Sequence, residues 1–256
     1  MSAPPSRART DAPAFAATMP AGYRASFGLE EISKHAEVAA SRGAAPTHVD
    51  VCRAEDGAPS CLCVVAQDAP GMLPKISAAL VAHDIDIVSA DVFRRMAAGG
   101  EPELVDVLQV RRASDPSRAL DAGVEQLVAQ TLARLVEEHA PLDAVRPPPS
   151  VRPAPRGAYD VTFRFEDDDA AGTTTLSIEA TDSPGLLLVV TRALFRADLQ
   201  IVGLRASTRE GTVIDRFELS ERDGKPVQGA RRFELQTALL AAIEDARSGA
   251  PADPDL

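Results

Sequence analysis

Two stretches decide the fold: Asp68-Ala69-Pro70-Gly71-Met72-Leu73 and Asp182-Ser183-Pro184-Gly185-Leu186-Leu187. Laid over each other without a gap, they open a register in which Asp68/Asp182, Pro70/Pro184, Gly71/Gly185, Leu73/Leu187, Ala79/Ala193, Leu80/Leu194, Asp84/Asp198, Ile87/Ile201 and Val88/Val202 are identical. A match held over that span marks one supersecondary unit present twice.

Each copy has the same local grammar. An apolar strand, Cys61 to Ala66 or Thr174 to Ala180, runs into the Asp-x-Pro-Gly turn, where Pro fixes one backbone angle and Gly supplies a permissive one. A helix follows at once, its apolar face carried by Leu73, Ile76 and Leu80 or by Leu187, Val190 and Leu194. It stops at Asp84 or Asp198, a residue type that tolerates the left-handed conformation. Two β-rich runs come next, Ile85 to Phe93 with Leu104 to Val110, and Leu199 to Thr208 with Val213 to Leu219. Closing helices are expected from about Ser117 to His139, with Leu120, Val124, Leu127, Thr131 and Leu135 on one face, and from about Arg231 to Arg247.

A hairpin precedes each turn: Thr47 to Arg53 joined through Ala54–Pro59, and Tyr159 to Phe165 joined through the acidic run Glu166 to Asp169. No strand follows either closing helix, so the leading hairpin strand is expected to take the fourth place in a ferredoxin-like sheet. The fold class expected is α+β: two permuted ferredoxin-like domains, hairpin strand then strand-helix-strand-strand-helix, with antiparallel sheets and helices on one face. The other face is left for pairing.

The chain divides accordingly. Residues 1–20, rich in Ala, Pro, Ser and Arg, read as a disordered tail, and 21–45 as a helical segment with its helix over Phe27 to Arg42. Domain one spans 46–140, a stiff Pro/Arg-rich linker 141–157, domain two 158–248, and a tail 249–256.

At 256 residues there is enough chain for two cores, and with no Trp they are aliphatic. A net charge of −11 argues against nucleic-acid or membrane surfaces. With no apolar signal region, a cytoplasmic protein is expected. Cys52, Cys61 and Cys63 read as small buried residues rather than a metal or redox centre, and no cofactor is expected. The Arg94-Arg95 and Arg111-Arg112 pairs read as surface or interface charge. His83-Asp84 reads as a helix terminus.

The Asp-x-Pro-Gly turns, the helix ending in Asp-x-x-Ile and the strand pairs ending in Val105-Asp106 or Ile214-Asp215 resemble the ACT domain, a small-molecule-sensing regulatory module. The order Met19-Pro20-Ala21-Gly22-Tyr23, a helix containing Ile32 and His35-Ala36, two such units around a Pro/Arg-rich connector, and Asp223-Gly224 after the last strand is similar to the C-terminal region of bifunctional uridylyltransferase/uridylyl-removing enzymes, glutamine sensors that modify the PII protein. The residues before the first unit are too few to hold the nucleotidyltransferase and His-Asp hydrolase domains of that family, so no catalysis is expected. The resemblance implies an amino acid ligand such as glutamine and a protein partner, the PII protein or a catalytic subunit. A regulatory half of a split enzyme, a truncated relative, and a tandem-ACT transcriptional regulator acting by protein contacts are the alternatives.

A helix N-terminus can hold a ligand's carboxylate, and Gly71 and Gly185 allow close approach. Asp68 and Asp182 are placed to accept from its ammonium group, or else simply cap their helices. The resemblance further implies that a ligand lies between the turn of one unit and the start of the second strand of another, at Asp86-Ile87 or Gln200-Ile201. The candidate ligand site is therefore Asp68, Pro70, Gly71, Met72, Leu73, Asp86 and Ile87 with Asp182, Ser183, Pro184, Gly185, Leu186, Leu187, Gln200 and Ile201. Pairing within the chain and dimerisation between chains both fit.

Overall fold

The computed structural model describes residues 11–53, 60–97, 99–138, 142, 161–168 and 170–248. The first ten residues, residues 54–59, most of the linker and the last eight residues lie outside them, as do the readings made there, including the turn expected at 54–59.

Within the described residues the first unit runs β1 (Thr47–Arg53), β2 (Ser60–Gln67), α4 (Met72–Val81), β3 (Ile85–Met96), β4 (Pro102–Arg112) and α5 (Val124–Glu137). The second runs β5 (Thr162–Asp168), β6 (Thr173–Thr181), α6 (Leu186–Arg196), β7 (Gln200–Arg209), β8 (Thr212–Ser220) and α7 (Ala230–Ser248). Ahead of both come α1 (Ala12–Ala17), α2 (Tyr23–Ser26) and α3 (Leu29–Arg42). This is an α+β fold with antiparallel strands, and each leading hairpin strand lies outside the strand that feeds the short helix.

The punctuation works as the residue types dictate. Gly71 and Gly185 sit in the left-handed region at φ 76° and 79° and start α4 and α6, while Asp84 and Asp198, at φ 59° and 63°, end the same two helical stretches. The first closing helix starts later than expected, because left-handed Gly123 (φ 83°) sets its beginning at Val124. Its buried stripe is Val124, Val128, Thr131, Leu132 and Leu135, and Leu127 turns outward.

The two units join edge to edge. Strand β3 pairs antiparallel with β7 through Ser89↔Ser207, Ala90↔Ala206, Asp91↔Arg205 and Val92↔Leu204, giving one eight-stranded sheet in the order β1-β2-β4-β3-β7-β8-β6-β5. Helices α4 to α7 bury its inner face, with Leu62, Ile76, Leu80, Leu108, Leu132, Leu176, Leu194 and Phe217 almost wholly excluded from water. Each such side chain contributes roughly 1.5–3 kcal/mol. A bulge at Cys52 kinks β1 between Val51 and Arg53.

The outer face of the first unit is not left for pairing. Helices α1 to α3 cover it, and Ala12, Phe15, Ala16, Met19, Tyr23, Ile32, Ala36 and Ala39 form a second core with Cys63, Val65, Phe93 and Val105. The disordered reading of residues 1–20 is therefore corrected for 12–17. Asp11 accepts the N–H of Ala14 at 3.4 Å and caps a helix whose apolar side chains are held by the sheet. The fully buried Tyr23 hydroxyl lies 2.7 Å from Nδ1 of buried His35, whose pKa burial pushes down to about 4. Tyr23→Phe strands that nitrogen, and urea unfolding is expected to show a loss of about 1–2 kcal/mol. A loss near zero would mean the pair adds nothing to the docking of α3.

None of Cys52, Cys61 and Cys63 is in a disulfide, and the last two are buried; the Cys61 hydrogen bond lowers the Cys52 thiol pKa, but the Cys63 hydrogen bond and burial outweigh it and leave it raised. Among the described residues no group of three or more His, Cys, Asp or Glu could hold a metal ion. His83 bonds Thr131 through Nε2 at 2.8 Å, beside the helix end.

Candidate functional site

The edge pairing sets each Asp-x-Pro-Gly turn opposite the beginning of the other unit's second strand, because β3 and β7 run antiparallel across the seam. Two clefts result, related by the repeat. The first is formed by the turn Asp68 to Pro74 with the start of β7, including Gln200 and Ile201, and encloses about 190 Å³. The second is formed by the turn Asp182 to Leu188 with the start of β3, including Asp86 and Ile87, and encloses about 30 Å³. A water needs about 10–15 Å³ measured this way. The first cleft has room for a small organic molecule, the second for about two or three waters. Of the residues singled out in the sequence, only Pro184 is missing from the cleft walls.

Neither turn aspartate caps its helix: both helices begin without a side-chain capping bond. Each aspartate meets an arginine instead. Arg94 Nε is 2.6 Å from Asp68 Oδ2, an ion pair whose arginine is about half exposed, with side-chain exposures of 48% and 21%. Arg111 donates from Nε and Nη2 to Asp86 Oδ2 at 3.0 and 2.7 Å and from Nη2 to Asp182 Oδ2 at 3.0 Å. Here the exposures are 27% for Arg111, 5% for Asp86 and 16% for Asp182. Burial raises the Asp86 pKa, against the opposing pull of Arg111 and of the Gly185 backbone N–H.

The arginine pairs thus depart from the sequence reading. Arg94 lines the first cleft, Arg111 bonds Asp86 and Asp182 in the wall of the second, and Arg95 and Arg112 pair with Glu103 and with Asp84 and Asp121. Sequence did carry a signal for Arg111, since antiparallel register sets it directly across from Asp86. The acidic hairpin run also changes character. Glu166, Asp167 and Asp168 belong to β5, and Asp167 engages Arg232 and the Thr174 hydroxyl.

Behind each turn lies a buried acid that sequence reasoning named only as a strand ending. Asp106 is fully buried with neither carboxyl oxygen hydrogen bonded, and burial, then the nearby Asp68 charge, push its pKa up to about 8. Asp215, in the second cleft, is pushed up to about 7 by burial and then by Asp182. At neutral pH the two acids keep much of their proton. In the first cleft the Phe195 ring presses on the turn so closely that a Cβ on Gly71 would fall 2.8 Å from it. Arg222 pairs with Asp198 at the rim.

The fold and its paired clefts define a duplicated α+β unit with a recess at each crossing of the seam. Curated relatives carry one name, bifunctional uridylyltransferase/uridylyl-removing enzyme. The protein of Phenylobacterium zucineum is 28% identical over 91% of this chain and 25% of its own length, that of Rhodospirillum rubrum 29% over 70% and 19%, and that of Streptomyces coelicolor 24% over 93% and 27%. The chain thus spans about a fifth to a quarter of the length of these relatives, and is similar to a region of them. No protein-family model matches. Among solved structures, an unknown protein from Galdieria sulphuraria is matched over 72% of this chain and 91% of its own, at 16% identity and a TM-score of 0.23, too loose an overlap to bear on the fold. No helix among the described residues is long and apolar enough to cross a membrane.

Proposed function

We propose that the chain is a non-catalytic tandem ACT regulatory protein, built of two ferredoxin-like units, that binds a free amino acid such as glutamine and passes its occupancy to a protein partner in nitrogen or amino-acid metabolism. The observation that carries this reading is the first cleft, where a helix N-terminus, the Asp68 carboxylate and the half-exposed Arg94 guanidinium meet around a cavity of about 190 Å³. A zwitterion has one charge for each: its ammonium for Asp68, its carboxylate for Arg94 or the start of α4. Because the walls come from both units, a ligand bound there favours one relative arrangement of them, and a partner that prefers the same arrangement is coupled to it.

The share matched in the relatives supports a second form of the same reading, in which the chain supplies the regulatory part of a uridylyltransferase in trans. The PII protein or a catalytic subunit is then the partner. Calorimetric titration with L-glutamine, and then with each other common amino acid, is expected to show saturable binding. Asp68→Ala is expected to weaken it at least tenfold while circular dichroism stays unchanged. No heat with any amino acid, in a protein shown to be folded, would overturn the proposal.

A further inference from the structure

The two clefts are repeats of each other, yet one is open and one is filled. The filling groups differ between the units at two positions that the sheet register makes equivalent. Asp86 pairs with Arg111 across β3 and β4, and Gln200 pairs with Ser220 across β7 and β8. At the second cleft, therefore, the wall carboxylate of Asp86 is bonded to a guanidinium on the neighbouring strand, whereas at the first the wall amide of Gln200 lies across from the buried Ser220.

Their contacts follow a pattern. The Asp86 carboxylate shares the cleft wall with Gly185 at the start of α6, whose backbone N–H opposes the rise in its pKa, and the Arg111 guanidinium donates to the turn aspartate Asp182. Those are the two contacts that the proposed function gives to the carboxylate and ammonium of an amino acid. We infer that the Asp86–Arg111 pair is a built-in ligand of the second cleft, so that this chain takes up a single amino acid, in the first cleft only. The inference rests on the proposed function for the identity of the ligand, but the filling of the cleft stands on its own geometry.

The difference in burial decides which arginine can yield. Arg94 holds Asp68 through an arginine that is half exposed, and pairs open to water in this way are screened and weak. An incoming ammonium group can replace it. Withdrawing Arg111 would leave two largely buried carboxylates facing each other without a cation, a far costlier state than an opened surface pair. The cavity left around the pair, about 30 Å³, gives a ligand no room beside it.

The test exchanges the two residue pairs between the clefts and reads stoichiometry by calorimetry, with L-glutamine and then each other common amino acid as probe. Wild type is expected to bind one equivalent. D86Q/R111S, which gives the second cleft the residues of the first, is expected to bind two. Q200D/S220R, which gives the first cleft the pair from the second, is expected to bind none; its substitutions lie outside the second cleft, so it guards against an unfolded D86Q/R111S. Two equivalents in wild type, one in a folded D86Q/R111S, or one retained in Q200D/S220R would each overturn the built-in ligand while leaving amino acid binding intact. No uptake by wild type would instead defeat the proposed function; the built-in ligand then stands only if D86Q/R111S gains a site, and falls if it does not.

Discussion

Replacing Glu103 with alanine is expected to cost about 3–5 kcal/mol of stability and to loosen the N-terminal helices from the sheet. Its carboxylate is 2% exposed and is shared by two guanidiniums, Arg42 Nε at 2.7 Å on Oε1 and Arg95 Nε at 2.7 Å on Oε2. Those arginines are themselves only 9% and 10% exposed, so the truncation strands two cations away from water. Arg42 ends α3, and Arg95 stacks on Phe15 at 4.5 Å and donates to Thr18, so one carboxylate ties α1, α3 and β3 together. Urea unfolding gives the cost, and hydrogen exchange along α1 and α3 shows where it falls. A loss below about 1 kcal/mol would reduce the triad to an ordinary surface pair.

The second large effect is a pH dependence. An unfolded Asp106 titrates in the ordinary carboxylate range, whereas the folded one holds its proton up to about 8. Between those limits the folded chain binds the extra proton, so the stability attached to Asp106 is full below the ordinary range and is lost as pH rises towards 8. Asp106→Asn removes the loss. Relative to wild type, its stability should improve with rising pH by up to about 1.4 kcal/mol per unit across that window and level off above it. Asp215→Asn should behave alike but level off sooner, near 7. His35 works in the opposite sense, since its folded pKa near 4 makes wild type lose stability as pH falls from about 6.5. The difference between variant and wild type cancels that contribution. A flat difference from pH 4 to 8 would show that Asp106 is charged in the fold.

The fold was legible because its signals are local and occur twice. Pro and Gly at the turns, Asp at the helix ends and alternating strands each restrict the backbone without help from distant residues, and the repeat gave every element an independent second reading. The strand order followed from the leading hairpins. What escaped depends on tertiary partners. Residues 12–17 resemble low-complexity sequence, yet Ala12, Phe15 and Ala16 fall on one helical face, and that face is held in a core shared by Tyr23, the α3 side chains Ile32 and Ala36, and Phe93 and its neighbours on the sheet. The positions brought together in the clefts were named from the turn and from the family likeness. The inequality of the two clefts was not, because it depends on Arg111 crossing to Asp182 and on the side chain opposite each strand start. The meaning of Arg94 and Arg111 likewise needed the register, since a charged residue at a strand end reads the same whether it faces water or a buried acid.

An open sheet has two terminal strands whose unused backbone groups invite another strand. Here they are β1 and β5, since the edges of β3 and β7 are spent on each other. β1 is bent by its bulge at Cys52, and β5 carries Arg164, Glu166, Asp167 and Asp168 along its length. Kinks and rows of charge are what keep sheet margins from recruiting neighbours. The edge pairing that joins the two units is thereby discouraged from repeating outward, which favours a molecule that stops growing at eight strands over one that polymerises through its margins.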